Sequence, residues 1–336
     1  MLNVFVGYGC NVGCSYCLQA PMAERDRVPP QKIEKFMERV VPYVKEKGIN
    51  KIAYWGGEPI LYWPTIEALH EGMRKEGIEF KMVKVATNAT LLEKKHVDKL
   101  NDWGAHVIVS RHIGQKQPKW EMLPELKRFS LSYLFTAKNL FAWPWFAEMN
   151  RLEAELQTRI FPYMHWVRAT NGCDDSHHLD HIHLNAHIPH LWDIARLAVN
   201  NHAPSRNLWL SHLMEWAENL QPGKEAVPMC FGDHQIDVDL EGNRYGCHHT
   251  VTAPLKIGQL GGPVENEAAA LQVRRFVDTA ECSACPLKTW CRGNCHLSRT
   301  HDADCRLSKE KHKIMEWISE RWYWQRDVTS NDQKHT

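Results

Sequence analysis

The feature that most constrains this chain is a set of three cysteines near its start, Cys10, Cys14 and Cys17, spaced CxxxCxxC directly after a short β-rich run, Asn3–Gly7. A loop with that spacing must turn back on itself if the three thiols are to meet. The shorter CxxC repeat farther along the chain points the same way, toward metal ligation rather than cross-linking. The opening MLNVFVGYGCNVGC has neither the basic nor the apolar region of a signal peptide, and no stretch is long and apolar enough for a membrane span. A cytoplasmic protein is expected, and there the eleven cysteines are not expected to form disulfides.

Three thiolates leave a [4Fe–4S] cluster one ligand short, so one iron stays open to a cofactor or substrate. The alternative is a structural zinc site, but zinc of that kind takes four protein ligands and no fourth is evident nearby.

The rest of the chain supplies the scaffold for such a loop. Strand candidates are Asn3–Gly7, Lys51–Trp55, Phe80–Ala86, His106–Ser110, Phe129–Phe135 and Ile160–His165; amphipathic helix candidates include Gln31–Lys47, Pro64–Lys75, Leu92–Trp103 and Trp143–Gln157. Six βα units in succession imply an α/β fold around a parallel sheet. Asn171–His190, rich in His and Asp without clear periodicity, reads as a long polar rim loop; His165, His177, His178, His181, His183, His187 and His190 with Asp174, Asp175 and Asp180 are also competent metal ligands. Helices are expected near Leu191–Asn200 and Asn207–Leu220. A boundary at Pro222-Gly223 divides a barrel domain, 1–223, from a second module, 224–310, with a helix and tail over 311–336. Within the module Gln235–Leu240 and Arg244–Cys247 flank Glu241-Gly242-Asn243 as a hairpin, and Lys309–Trp324 reads as a closing helix before a polar tail from Gln325. The 14 tryptophans fall mostly in amphipathic segments and are expected in the core.

The CxxxCxxC set, with aromatic Tyr16 just before its third cysteine, resembles the signature of the radical S-adenosylmethionine (SAM) superfamily. Trp55-Gly56-Gly57-Glu58-Pro59 after the second strand resembles that family's GGEP motif, Thr87-Asn88 after the third its TN segment, and Ser110 after the fourth a ribose-contacting serine. The resemblance implies a partial (β/α)6 barrel. It also implies SAM chelated to the open iron, Tyr16 near the adenine, Gly56, Gly57 and Glu58 about the SAM amine, and Thr87, Asn88 and Ser110 as further cofactor contacts. All these positions fall at strand ends, where parallel barrels gather ligand-binding residues.

A second cysteine group, Cys230 and Cys247 joined through Gly242, then Cys282, Cys285, Cys291, Cys295 and Cys305, resembles the SPASM domain of radical SAM enzymes that modify peptides and proteins. A zinc ribbon is the alternative. The resemblance implies a small α+β iron–sulfur domain in which Cys282, Cys285, Cys291 and Cys305 hold one auxiliary [4Fe–4S] cluster and Cys230, Cys247 and Cys295 the other, three clusters in all. The family often supplies another cysteine shortly before the Cys230 position, and Gln221–Met229 has none. The fourth site is then open to substrate, or filled by Cys173 or a histidine. His248 stands where sulfatase-maturing relatives carry a catalytic aspartate, and an imidazole there suits proton transfer near neutral pH; the plainer reading is a hairpin-end histidine.

The function implied is reductive SAM cleavage and hydrogen abstraction from a ribosomally made precursor peptide, ending in a crosslink, epimerisation, decarboxylation or backbone excision. With the radical motif starting at Cys10, a separate peptide-recognition protein is an expected partner, together with a reductase, flavodoxin or ferredoxin as electron donor. Modification of a small molecule or RNA base is the other enzymatic reading, and a non-catalytic iron–sulfur electron-transfer protein the non-enzymatic one. Lys plus Arg is 41 against 40 for Asp plus Glu, which gives no electrostatic case for a nucleic-acid partner.

Overall fold

The computed structural model describes residues 1–17, 19, 28–111, 116–167, 174–200, 203–220, 235–247, 255–267, 269–270, 280–291 and 301–332. Six strands follow the expected sites: β1 (Leu2–Phe5), β2 (Lys51–Trp55), β3 (Met82–Thr87), β4 (His106–Arg111), β5 (Phe129–Phe135) and β6 (Pro162–Trp166). They lie in the order β6-β5-β4-β3-β2-β1 with every neighbouring pair parallel. Between them run α1 (Pro30–Lys47), α2 (Trp63–Lys75), α3 (Lys94–Asp102) and α4 (Ala142–Leu156), while β4 and β5 are joined through a short 3-10 turn, Trp120–Glu125. This is the partial (β/α)6 barrel that the sequence implies.

Local chemistry sets the helix ends. Pro30 starts α1, where a missing N–H costs nothing, and Gly48 ends it in the left-handed conformation (φ 59°), its N–H returning to Lys45 O and Val44 O. Phe36, Val40, Val41 and Val44 give α1 its buried stripe.

The period-two pattern of the strands separates two faces of the sheet. Val83, Val85, Val107, Val109, Leu131 and Tyr133 are buried beneath the helices. Tyr54 bonds His70 of α2 at 3.1 Å, and Tyr133 meets Trp145 of α4 edge-on. The opposite, concave face is polar. Strand register sets Asp237, Asn3, Ala53, Lys84 and His106 in one row across it, and Ser110, Ser132 and Tyr163 in another nearer the strand ends. Trp145 and Trp209 are fully buried, as expected of core tryptophans.

The sheet continues beyond β1. Strand β7 (Ile236–Asp239) pairs parallel with β1, and β8 (Asn243–Tyr245) and β9 (Lys256–Gln259) follow antiparallel, so the sheet crosses the boundary expected at Gly223. The hairpin forms where expected. Gly242 adopts φ 79°, a left-handed value, and the Asp239 carboxylate accepts from the Glu241 and Asn243 N–H groups and from Tyr245 Oη.

Three expectations need correction. The rim segment is not a continuous polar loop. It contains a 3-10 turn, Asp175–His177, and then α5 (His181–Val199), which starts ten residues before the expected Leu191. The cause is a capping box: Asp180 accepts from His183 N at 2.8 Å, and His183 Nδ1 faces Asp180 N at 3.5 Å. Nor are the histidines all solvated. His187 is wholly buried, accepting from Trp166 Nε1 at 2.8 Å with its Nδ1 2.7 Å from Leu140 O, and burial pushes its pKa down to about 4. After α6 (Ala203–Asn219) and the short helices α7 (Ala280–Ser283) and α8 (Lys288–Cys291), the closing helix α9 spans His301–Asp332, so Cys305 lies on it and helix continues past Gln325.

At the β1–β7 seam, the buried Asp237 accepts from Asn3 Nδ2 at 2.6 Å, and desolvation pushes its pKa up to about 7. A raised carboxylate pKa means that the folded chain holds the proton more tightly than the unfolded one, so stability falls as pH climbs from about 4 to about 7. Asp237→Asn should therefore melt higher than wild type at pH 8, with the advantage shrinking toward pH 4. Melting curves of both proteins across that range test this, and an Asn variant that is less stable at pH 8 would refute it.

Candidate active site

The three N-terminal cysteines lie on the loop after β1, at the carboxyl end of the sheet. All three are partly accessible, and none is in a disulfide. Burial pushes the Cys14 thiol up to about 11, with Cys17 and Cys10 adding to the rise; burial also raises Cys10, with Glu58 and Cys17 contributing. The thiols thus stand within electrostatic reach of one another. Val12 N–H approaches Cys10 Sγ at 3.4 Å, a contact that favours the thiolate, and Gln19 N–H approaches Cys17 Sγ at 3.4 Å. Among the described residues no three His, Cys, Asp or Glu side chains are grouped for a single metal ion. In a four-iron cluster each thiolate binds a different iron, so a partly open, converging triad fits that group.

The loop is held by the segment after β2. Gly57 N donates to Gly7 O and Glu58 N to Gly9 O, both at 2.9 Å. A Cβ on Gly57 would lie 2.2 Å from Tyr8 O, and one on Gly7 would meet the Tyr62 ring at 2.2 Å. Chain-to-chain approach therefore requires glycine here, whatever the ligand. Tyr62, from the turn Pro59–Tyr62, accepts from Gly9 N at 2.7 Å.

Glu58 joins this pair of loops to the third. Its buried carboxylate accepts from Thr87 Oγ1 at 2.6 Å and Ile60 N at 3.0 Å through Oε1, and from Asn88 N at 2.7 Å through Oε2. Burial raises its pKa, and the three donors oppose the rise. Asn88 Nδ2 then donates to Asn11 Oδ1 at 3.0 Å, Asn11 Nδ2 to Thr90 Oγ1 at 2.6 Å, and Thr90 Oγ1 to Asn88 Oδ1 at 2.7 Å. That triangle sits one residue from Cys10. Ala89, between Asn88 and Thr90, is left-handed at φ 56°, a strained conformation for a residue with a Cβ.

The structure thus brings Cys10, Cys14, Cys17, Gly56, Gly57, Glu58, Thr87 and Asn88 together. Tyr16 is buried beside Cys14. Ser110 stands apart on the concave face, in register with Ser132. Sequence reasoning missed Asn11, Tyr62 and Thr90, whose partners come from other loops. It also missed Arg111, buried at the end of β4 and paired to Glu148 of α4 at 2.8 Å. The one available signal was the charge of Arg111 at a strand end.

In the C-terminal part, burial raises the Cys305 thiol, with Cys285 and Cys282 contributing, so α9 and the segment around α7 bring these three within reach. Cys291 ends α8. Cys247 is buried with Phe5, Tyr245 and Leu255. Cys173, Cys230, His248 and Cys295 lie outside the described residues.

The described residues thus form a parallel sheet whose three-cysteine loop is zipped to the GGEP turn through Gly57 and Glu58. Residues 4–127 match the model of the Radical SAM superfamily, a family that implies SAM and a [4Fe–4S] cluster. The GTP 3′,8-cyclase of Staphylococcus haemolyticus (strain JCSC1435) is 34% identical over 111 residues, 32% of this chain and 32% of that protein, so the likeness spans about a third of that relative. Native anSMEcpe with bound AdoMet and Cp18Cys peptide superposes with TM-score 0.68 at 16% identity, covering 95% of this chain and 99% of that one. Streptococcus suis SuiB bound to S-adenosylmethionine gives 0.55 at 15%, covering 88% and 72%. At such identities these likenesses establish the fold. Among the described residues no helix is long and apolar enough to cross a membrane.

Glu58→Gln should destabilise the chain before any cofactor is added. Whichever way the amide points, its NH2 faces a backbone N–H, that of Asn88 or that of Ile60, at a cost of about 1–3 kcal/mol. Thermal melting of the cofactor-free variant measures this. An unchanged melting temperature with weakened SAM binding would instead make Glu58 a ligand contact alone.

Proposed function

We propose that this chain is a radical SAM peptide maturase with a SPASM-type C-terminal module. Cys10, Cys14 and Cys17 would hold a [4Fe–4S] cluster with SAM on its open iron, which would supply radical chemistry able to take hydrogen from an unactivated C–H bond. The chain's own residues hold the cluster loop, exclude water and orient the substrate above the concave face. The observation that carries the reading is the second cysteine set, with Cys282, Cys285 and Cys305 within electrostatic reach of one another and Cys247 buried against β1. In this reading Cys282, Cys285, Cys291 and Cys305 hold one auxiliary cluster, and Cys230, Cys247 and Cys295 hold the other. Beside Cys247, His248 is the proposed proton acceptor. A precursor peptide is the substrate, a separate recognition protein delivers it, and a flavodoxin or ferredoxin supplies electrons.

A second reading, modification of a purine nucleotide, has its support in the GTP 3′,8-cyclase likeness. That likeness covers a third of the chain, whereas the second cysteine set lies wholly in the C-terminal part.

Two measurements test the proposal. Anaerobic reconstitution should give about twelve irons per chain, and replacing Cys10, Cys14 and Cys17 together with Ala should leave about eight and end SAM cleavage; zinc without sulfide in the C-terminal module would remove the SPASM assignment. Mass spectrometry of a precursor peptide co-expressed with the chain should reveal a defined mass change. Turnover of GTP with the peptide left unmodified would favour the second reading.

A further inference from the structure

The segment just ahead of α5 carries the 3-10 turn Asp175–His177. Its main chain is tied at two points: Asp174 N donates to Ser15 O at 3.3 Å, and Ala137 N donates to His177 O at 2.9 Å. The loops after β1, β5 and β6 therefore meet at one place, and the His177 side chain, 8% exposed, lies there. Its Nε2 is 2.7 Å from Ser15 Oγ and 3.3 Å from Lys138 Nζ. The ring stands edge-on to Tyr16, with centroids 5.0 Å apart. An ammonium group can only donate, so Nε2 accepts and the proton of the neutral ring is on Nδ1. Burial and the Lys138 charge hold the ring neutral against the Asp174 carboxylate at 3.7 Å. Among the described residues the buried Nδ1 atom has no hydrogen-bond partner, so the ring's contacts to the loop after β1 run through Nε2 and the ring itself.

They hold Ser15 and Tyr16, the two residues between Cys14 and Cys17. We propose that His177 is a positioning residue of the SAM site, a strap that fixes the cluster loop in its ligand-binding shape from the far edge of the barrel. Lys138 Nζ, 3.3 Å from Nε2, shares that nitrogen's single lone pair with Ser15 Oγ. The proposal rests on the radical SAM reading of residues 4–127 and adds to it a residue outside that segment.

The test uses the full chain, reconstituted anaerobically, with SAM as the probe. His177→Ala should raise the SAM dissociation constant about threefold to tenfold, the equivalent of one lost hydrogen bond. It should also alter the SAM-induced change in the electron paramagnetic resonance spectrum of the reduced cluster, with iron content and melting temperature kept. His177→Gln retains a polar group at the Nε2 position and should restore binding; His177→Asn, which retains only the Nδ1 side, should not. Ser15→Ala breaks the same contact from the other partner, so it should weaken binding by the same factor and add nothing in combination with His177→Ala. The proposal is overturned if both alanine variants bind SAM as wild type does. It is equally overturned if the Ala and Gln variants lose iron and melt early together, since His177 then serves only the fold. A wild-type chain that binds no SAM at all would count against the radical SAM reading itself.

Discussion

The buried carboxylate of Glu58 is the interaction on which the rest of the site depends. A carboxylate removed from water is costly unless its oxygens are filled, and here three donors fill them from two different loops. Because Glu58 N also bonds Gly9 O, one residue links the loops after β1, β2 and β3. The parallel sheet explains why this is possible. All the strands of such a sheet end on the same side, so short loops from neighbouring strands can reach a common point, and the cluster loop borrows its rigidity from the barrel.

That arrangement gives the glycines of the GGEP segment a meaning distinct from ligand approach. Gly57 admits the carbonyls of Tyr8 and Gly9, and Gly7 admits the Tyr62 ring. Gly242, part of the second cysteine pattern, likewise serves a turn, at φ 79° between β7 and β8. In both motifs the glycine is fixed by backbone geometry, and the chemistry belongs to the neighbouring cysteines and carboxylate.

The strands and the first four helices were legible because their signals are local: a period of two in Val-rich runs, a period near 3.6 in amphipathic ones, Pro30 at a helix start and Gly48 at a helix end. The site was legible where a motif is compact in sequence, as at Cys10–Cys17 and Gly56–Glu58. What stayed hidden depends on contacts between distant segments. The start of α5 was missed because its cap, Asp180 with His183, lies within a run of histidines that reads as polar loop. The burial of His187 depends on Trp166 and Leu140, which sequence spacing does not bring near it. Asn11 and Thr90 gave no signal, since a polar side chain on a loop carries no mark of its partner.

The two kinds of likeness differ in how much of one sheet they cover. Identity of 34% to a GTP 3′,8-cyclase is confined to about a third of the chain, and the family match ends at residue 127, just before β5. That portion contains β2 to β4, the three-cysteine loop and the whole Glu58 network. Strands β5 to β9 and the C-terminal cysteines lie beyond it, and there the likeness to anSMEcpe is one of fold, at 16% identity. His177 lies beyond the matched segment, yet its Nε2 stands 2.7 Å from Ser15 Oγ on the three-cysteine loop. A contact of that kind lets a segment after β6 bear on the shape of that loop without touching a cysteine.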